Sequence, residues 1–146
     1  MSKSKAEKEL AGTFHKSREK NNPIAEVLKE STVPAELINE YAVGEWERVT
    51  KFLLSNNSLV ETDTSLLLAY CNEMGTYYEC SKILKKGGLT QKAPSGYVQQ
   101  RAEVAIKTKA LDFAIKIADK FGFNPLARTK IDVSGILPQQ DKMAEL

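Results

Sequence analysis

The chain has 146 residues, 42% hydrophobic and 27% charged, and its 21 Lys and Arg against 19 Asp and Glu leave a formal charge of +2. That length holds one domain able to bury a core without staples, with residues to spare for an arm or a tail. The total charge does not by itself announce a nucleic-acid partner, and no apolar run approaches the roughly 20 residues of a membrane span.

The balance hides segregation. Lys3, Lys5, Lys8, Lys16, Arg18 and Lys20 face only Glu7, Glu9 and Glu19 in the first twenty residues. This stretch is rich in Lys, Ser, Glu and Asn and lacks apolar periodicity, so residues 1–33 are expected to form a flexible basic arm, with a short helical turn near Ile24 to Lys29.

Pro34 is expected to start the first firm helix. Ile38, Tyr41, Trp46, Val49, Phe52 and Leu53 recur at helical spacing up to Asn56-Asn57, leaving Glu40, Glu45, Glu47 and Lys51 for solvated faces. Thr62-Asp63-Thr64-Ser65 then offers several N-caps, and Leu66, Leu67, Tyr70, Met74, Tyr77 and Leu84 trace a second long helix that Lys85-Lys86-Gly87-Gly88 ends. The short connection predicts an antiparallel pair. This pair is acidic, since only Arg48 and Lys51 oppose eight carboxylates between Pro34 and Cys80.

Leu89 to Gln100, interrupted by Ala93-Pro94-Ser95-Gly96, reads as a loop or small hairpin. Val104, Thr108, Leu111, Ile115 and Ala118 mark a third helix that Gly122 closes. Asn124-Pro125 supplies N-cap and N1 of a short fourth helix to about Lys130. The fold class is therefore all-α, with a helical core over 34–131 and a tail over 132–146. Basic residues return in this half, where seven between Arg101 and Lys130 face only Glu103, Asp112 and Asp119.

Catalytic chemistry lacks its residues. No G-x-x-x-x-G-K-[S/T] phosphate loop or dinucleotide-type glycine fingerprint occurs, which argues against ATP turnover. His15, the single histidine, falls in the expected arm, where a general base would lack fixed partners. Glu40, Glu45 and Glu47 do not pair at helical neighbour spacing, and Glu61 and Asp63 read as N-terminal helix charges, so neither group is a metal site.

Trp46, Tyr70, Tyr77 and Tyr78 are assigned to core or subunit contact rather than base stacking. Cys71 and Cys80, nine positions apart on one helix, are separated by roughly 13 Å along its axis and stay unbridged. No catalytic residue, cofactor or metal is expected, and with no secretory signal pattern the chain is expected to work in a reducing cytoplasm. The positive signal is clustered cation, which binds phosphates without needing a precise motif. Two clusters qualify: the arm lysines and arginine named above, and Lys107, Lys116, Lys120, Arg128 and Lys130 on or just after the third helix.

An ordered series of segments adds a resemblance. It comprises AGTF at 11–14, EWERV at 45–49, ETDTSLLLAYC at 61–71, YYECSKILKKGGL at 77–89, SGYVQQ at 95–100 and IKTKALDFAIKIADKFGFNPLARTKI at 106–131. In this order and spacing the chain resembles the terminase small subunits of tailed phages and prophages. It departs from that pattern at Arg101-Ala102-Glu103, where proline is more usual, and at Leu126, where a small hydroxyl residue is common.

The resemblance implies a non-catalytic helical protein of the host cytoplasm that assembles as a ring of copies and binds double-stranded viral DNA. It would hand that DNA to a large subunit supplying ATPase and nuclease activity. The residues alone leave a different class open, a small dimeric helix-turn-helix regulator with its third helix in the major groove.

Overall fold

Residues 26–130 are described by the structure, a computed structural model, and they fold as a set of packed helices with one hairpin between the second and third. The order is α1 (Glu40–Ser55), a 3₁₀ turn (Glu61–Asp63), α2 (Thr64–Gly87), β1 (Thr90–Lys92), β2 (Val98–Gln100), α3 (Ala102–Phe121) and α4 (Pro125–Lys130). The helical core and the small hairpin match the expected architecture.

The first departures precede α1. The helical turn expected near Ile24 to Lys29 is extended chain over its described part: Val27 bridges Val60 antiparallel, and the Leu28 N–H donates to the Leu59 carbonyl at 2.8 Å. Ile24 lies outside the described residues. Pairing with the loop after α1, with Leu28 packed on the core, outweighs a turn that has no cap.

Pro34 likewise does not start α1. Helix begins at Glu40 because Asn39 is extended and its Oδ1 accepts the Ala42 N–H at 2.9 Å. The residues between are held from α2, where Asn72 accepts the Ile38 N–H at 3.0 Å and donates to the Glu36 carbonyl at 3.2 Å. A distant amide thus satisfies backbone groups that a helix would have satisfied locally.

α1 and α2 run antiparallel, since Asn39 meets Glu79, Ala42 meets Gly75 and Glu45 meets Tyr70. Gly75 permits the approach: a Cβ there would lie 2.8 Å from the Ala42 Cβ and 2.7 Å from the Asn39 Oδ1. At the start of α2 the Asp63 side chain makes no cap bond. A 3₁₀ turn precedes the helix instead, with the Thr64 hydroxyl donating to the Glu61 carbonyl at 2.7 Å. The far end stops as expected, with Gly88 at φ 73°.

The apolar positions on α1 and α2 need correction too. Ile38, Phe52 and Leu66 are exposed, while Ala42, Trp46, Val49, Leu53, Leu67, Tyr70 and Cys71 are buried. With Leu59 and Ala114, most of these form the central cluster.

The hairpin pairs Thr90 with Gln100, Gln91 with Gln99 and Lys92 with Val98, and Gly96 at φ 83° turns its loop. It returns the chain so that α3 lies along α2. Arg101 donates to the Gly87 carbonyl at one end, and Phe123 meets Tyr70 at the other. The buried stripe of α3 is built on Ala110 and Ala114, with Ile117, Ala118 and Phe121 beside them; Thr108 and Ile115, expected inward, are exposed. Small residues face α2 because two long helices close best over alanine.

Gly122 ends α3 in the left-handed region at φ 69°, and Asn124 Oδ1 caps α4 by accepting the Ala127 N–H at 2.7 Å.

Candidate nucleic-acid interface

Since α3 packs through its alanine stripe, its opposite side is free of the core. Lys109, Phe113, Lys116 and Lys120 follow one another there at intervals of four, three and four residues and are all exposed. Phe113 keeps 54% of its surface in solvent, and the Lys116 Nζ stands 5.6 Å from its ring centroid. The result is a row of ammonium groups around an apolar body. Such a row can neutralise phosphates, and Phe113 offers a flat surface beside it.

This placement divides the sequence-defined cluster. Lys116 and Lys120 share the outer row, but Lys107 lies on the opposite side, partly buried, its Nζ 4.9 Å from the Tyr77 ring centroid on α2. Lys109 was missed, although its spacing of seven from Lys116 and eleven from Lys120 is a helical period.

Arg128 and Lys130 sit on α4. The Arg128 Nη1 donates to the Gly122 carbonyl at 3.3 Å, which ties α4 to the end of α3, whereas Lys130 is exposed. Arg128 also lines, with Arg48, Phe52, Tyr70, Ile115 and Phe123, an open cleft of about 400 Å³ between α1 and the α3–α4 turn.

Phe123 forms the wall of that cleft and is a residue the sequence reading overlooked. Its ring centroid is 5.2 Å from Tyr70, 5.5 Å from Phe121 and 6.3 Å from Phe52. The available signal was an aromatic directly after a helix-ending glycine, where an apolar contact back to the helix is usual. Lys3, Lys5, Lys8, Lys16, Arg18 and Lys20, together with His15, lie outside the described residues.

The largest surprise among the acids is Glu45. Assigned from sequence to a solvated face, it is only 7% exposed. Its Oε1 accepts the Tyr70 hydroxyl at 2.6 Å, and Arg48 donates to both carboxylate oxygens at 3.1 and 2.5 Å. A carboxylate so placed is compensated by a cation and a neutral donor, which burial requires.

Its neighbours record the same field. Burial and then the hydrogen bond to Glu45 hold the Tyr70 phenol well above its ordinary range, and the hydrogen bond to Glu45 raises Arg48. Burial and then the Glu45 charge push the Cys71 thiol up to about 12. Burial also raises Cys80, and both cysteines are free. Protonated, buried thiols are poor nucleophiles. This network therefore locks α1 to α2 rather than presenting a reactive group.

Trp46 and Tyr70 are core residues as expected, whereas Tyr78 is exposed against Tyr41 at 5.9 Å. Among the described residues no group of three or more His, Cys, Asp or Glu is placed to hold a metal ion, and no helix is long and apolar enough to cross a membrane.

Comparison with known proteins finds no match among the curated proteins and none among the solved structures. A family model described as the phage terminase small subunit matches residues 42–136, from the start of α1 through α4 and beyond. That span is more than half of the chain and contains the α1–α2 lock, the hairpin and the outer row of α3. The chain belongs to the phage terminase small-subunit family.

Proposed function

We propose that this chain is the non-catalytic DNA-binding component of a phage packaging complex, gripping double-stranded viral DNA and delivering it to the large terminase subunit. Family membership supports the packaging role. The observation that carries DNA contact is the outer row of α3, where Lys109, Lys116 and Lys120 point away from the core with no partner of opposite charge in an ion pair among the described residues.

In this reading residues 1–33 are a basic arm that adds Lys3, Lys5, Lys8, Lys16, Arg18 and Lys20 to the phosphate contacts. The core over 34–131 assembles copies into a ring, residues 132–146 are a tail, and Lys130 and Arg128 extend the row. Lys107 contributes to the α2–α3 contact instead. The acidic stretch from Glu36 to Glu79 and the lysine row on the outer side of α3 on one subunit suit the unlike surfaces through which ring neighbours meet.

The test is duplex binding across a salt series. Lys109→Ala, Lys116→Ala and Lys120→Ala combined should reduce the slope of log K against log salt by roughly 0.9 per lost phosphate contact, or about 2.7 in all. Lys16→Ala, Arg18→Ala and Lys20→Ala together should act likewise for the arm. An unchanged slope in either set removes that cluster from the interface. Native mass measurement separates the rival class: a dimer with palindrome-specific binding identifies a regulator, whereas many copies support the ring.

A further inference from the structure

The hairpin at the far end of α2 and α3 is not used by the core. All six strand residues are exposed, so neither face is held by packing, and a lone two-stranded ribbon is marginal by itself. Its composition is equally one-sided. From Ser81 to Ala102 there is no Asp or Glu, but there are Lys82, Lys85, Lys86, Lys92 and Arg101.

Two of these cations are engaged. The Lys82 Nζ lies 4.0 Å from the Glu40 carboxylate and 5.7 Å from the Tyr41 ring centroid, and the Arg101 Nε donates to the Gly87 carbonyl at 3.2 Å. Lys85, Lys86 and Lys92 are exposed and enter no ion pair among the described residues. The first two complement the carbonyl end of α2. Lys92, on β1, has no such reason to be basic.

The register sorts the remaining side chains. Gln91 and Gln99 lie opposite each other, and with alternation along the strands they share a face with Tyr97, which is 70% exposed. Thr90, Lys92, Val98 and Gln100 share the other. The exposed apolar side chains are dispersed, Tyr97 on the glutamine face, Val98 on the other and Leu89 directly before β1, each among polar residues. One face offers two amides and a phenol, the other an amide, a hydroxyl and the Lys92 ammonium, and Lys85 and Lys86 stand at the end of α2.

That combination fits duplex DNA. A two-stranded ribbon is narrow enough for a major groove roughly 12 Å wide and 8.5 Å deep. Four residues beyond the helix ends project about 13 Å at 3.3 Å per residue, enough to reach the groove floor. Glutamine amides pair with the edge of adenine, while Lys85 and Lys86 at the ribbon's base and Lys92 beside its turn, on the face away from the glutamines, are available to phosphates.

We propose that the β1–β2 ribbon enters the major groove of double-stranded DNA, with Gln91 and Gln99 facing base edges and Lys85, Lys86 and Lys92 on the flanking phosphates. This rests on the DNA-binding reading above and adds the element that reads bases, which the α3 row and the arm do not supply.

The full chain is titrated onto a fluorescein-labelled random-sequence duplex over a salt series, and preferred sequences are selected from a random duplex pool. Lys85→Ala, Lys86→Ala and Lys92→Ala combined should weaken binding at least about tenfold near physiological salt and lower the salt slope by about 2.7. Gln91→Ala with Gln99→Ala should keep random-duplex affinity within about threefold while flattening the base preference of the selected pool, a loss the lysine set would not produce alone.

If the wild-type chain binds no duplex, the DNA-binding reading fails and the ribbon falls with it. If wild type binds and the lysine variant keeps its slope, only the ribbon assignment is overturned. That assignment is overturned equally if the lysine variant binds DNA normally but loses its oligomer, for the ribbon then joins copies. Circular dichroism confirms that each variant keeps its helices.

Discussion

The α1–α2 interface and the outer surface of α3 with its hairpin are built under opposite rules. At the first, Leu67 is 0% exposed, Gly75 has no room for a methyl group, and the one buried carboxylate, Glu45, has its charge met by Arg48 and its lone pair by Tyr70. At the second, Phe113 and Tyr97 stand mostly in solvent among lysines with no ion-pair partner among the described residues. One surface is specified by what it must exclude. The other carries side chains that folding does not use, and those are where binding is to be sought.

The contrast breaks first where packing is tightest. Leu67→Ala should cost about 2–5 kcal/mol in urea unfolding, because the fully buried site can collapse only in part. A cost below about 1 kcal/mol would falsify the closed core around α2. Gly75→Ala should cost about 1–3 kcal/mol through overpacking against Ala42, with Asn39 displaced from its cap. Glu45→Ala, which strands the Tyr70 hydroxyl, belongs in the same range.

A smaller effect follows from protonation. Folding raises the Tyr70 pKa, so the neutral phenol is the favoured native form, and its contribution is complete below the ordinary tyrosine value near 10. It declines as pH rises past that value towards the folded one. Cys71, raised from 9.0 to about 12, acts with the same sign beginning about one unit lower. Wild-type stability should therefore fall above about pH 9, and Tyr70→Phe should flatten the part of that fall above about pH 10. Unfolding midpoints measured on either side of pH 10 check this; equal losses in both proteins would assign the alkaline transition elsewhere.

How much was legible in the sequence follows the same division. The end of α2 at Gly88, the turn Gly122-Phe123-Asn124-Pro125 and the hairpin were readable because caps, glycines and proline act within a few residues. The start of α1 was misplaced: its cap, Asn39, is local, but the non-helical run from Pro34 that delays the helix is held by Asn72, 34 residues from Ile38. Glu45 escaped for a like reason: Arg48 compensates it from one turn away, but what buries it is α2, whose Tyr70 donates to it from across the helix pair. The cations of α3 were visible as a cluster, but separating Lys107 from Lys116 and Lys120 required knowing which side of the helix meets Tyr77.

The smallest predicted effect is the most informative about that outer surface. Phe113→Ser removes a large aromatic side chain, yet with 54% of it in solvent and no place in the central cluster, stability should change by no more than about 0.5 kcal/mol. Lys109→Ala and Lys116→Ala should do as little. The measurement is unfolding of the full chain at several protein concentrations. If Phe113→Ser instead costs more than about 1 kcal/mol and the wild-type midpoint rises with concentration, the outer row is covered by another copy in the native assembly. The lysines beside it would then serve the contact between neighbours, and the DNA contacts assigned to α3 would have to come from Lys130, the arm and the ribbon.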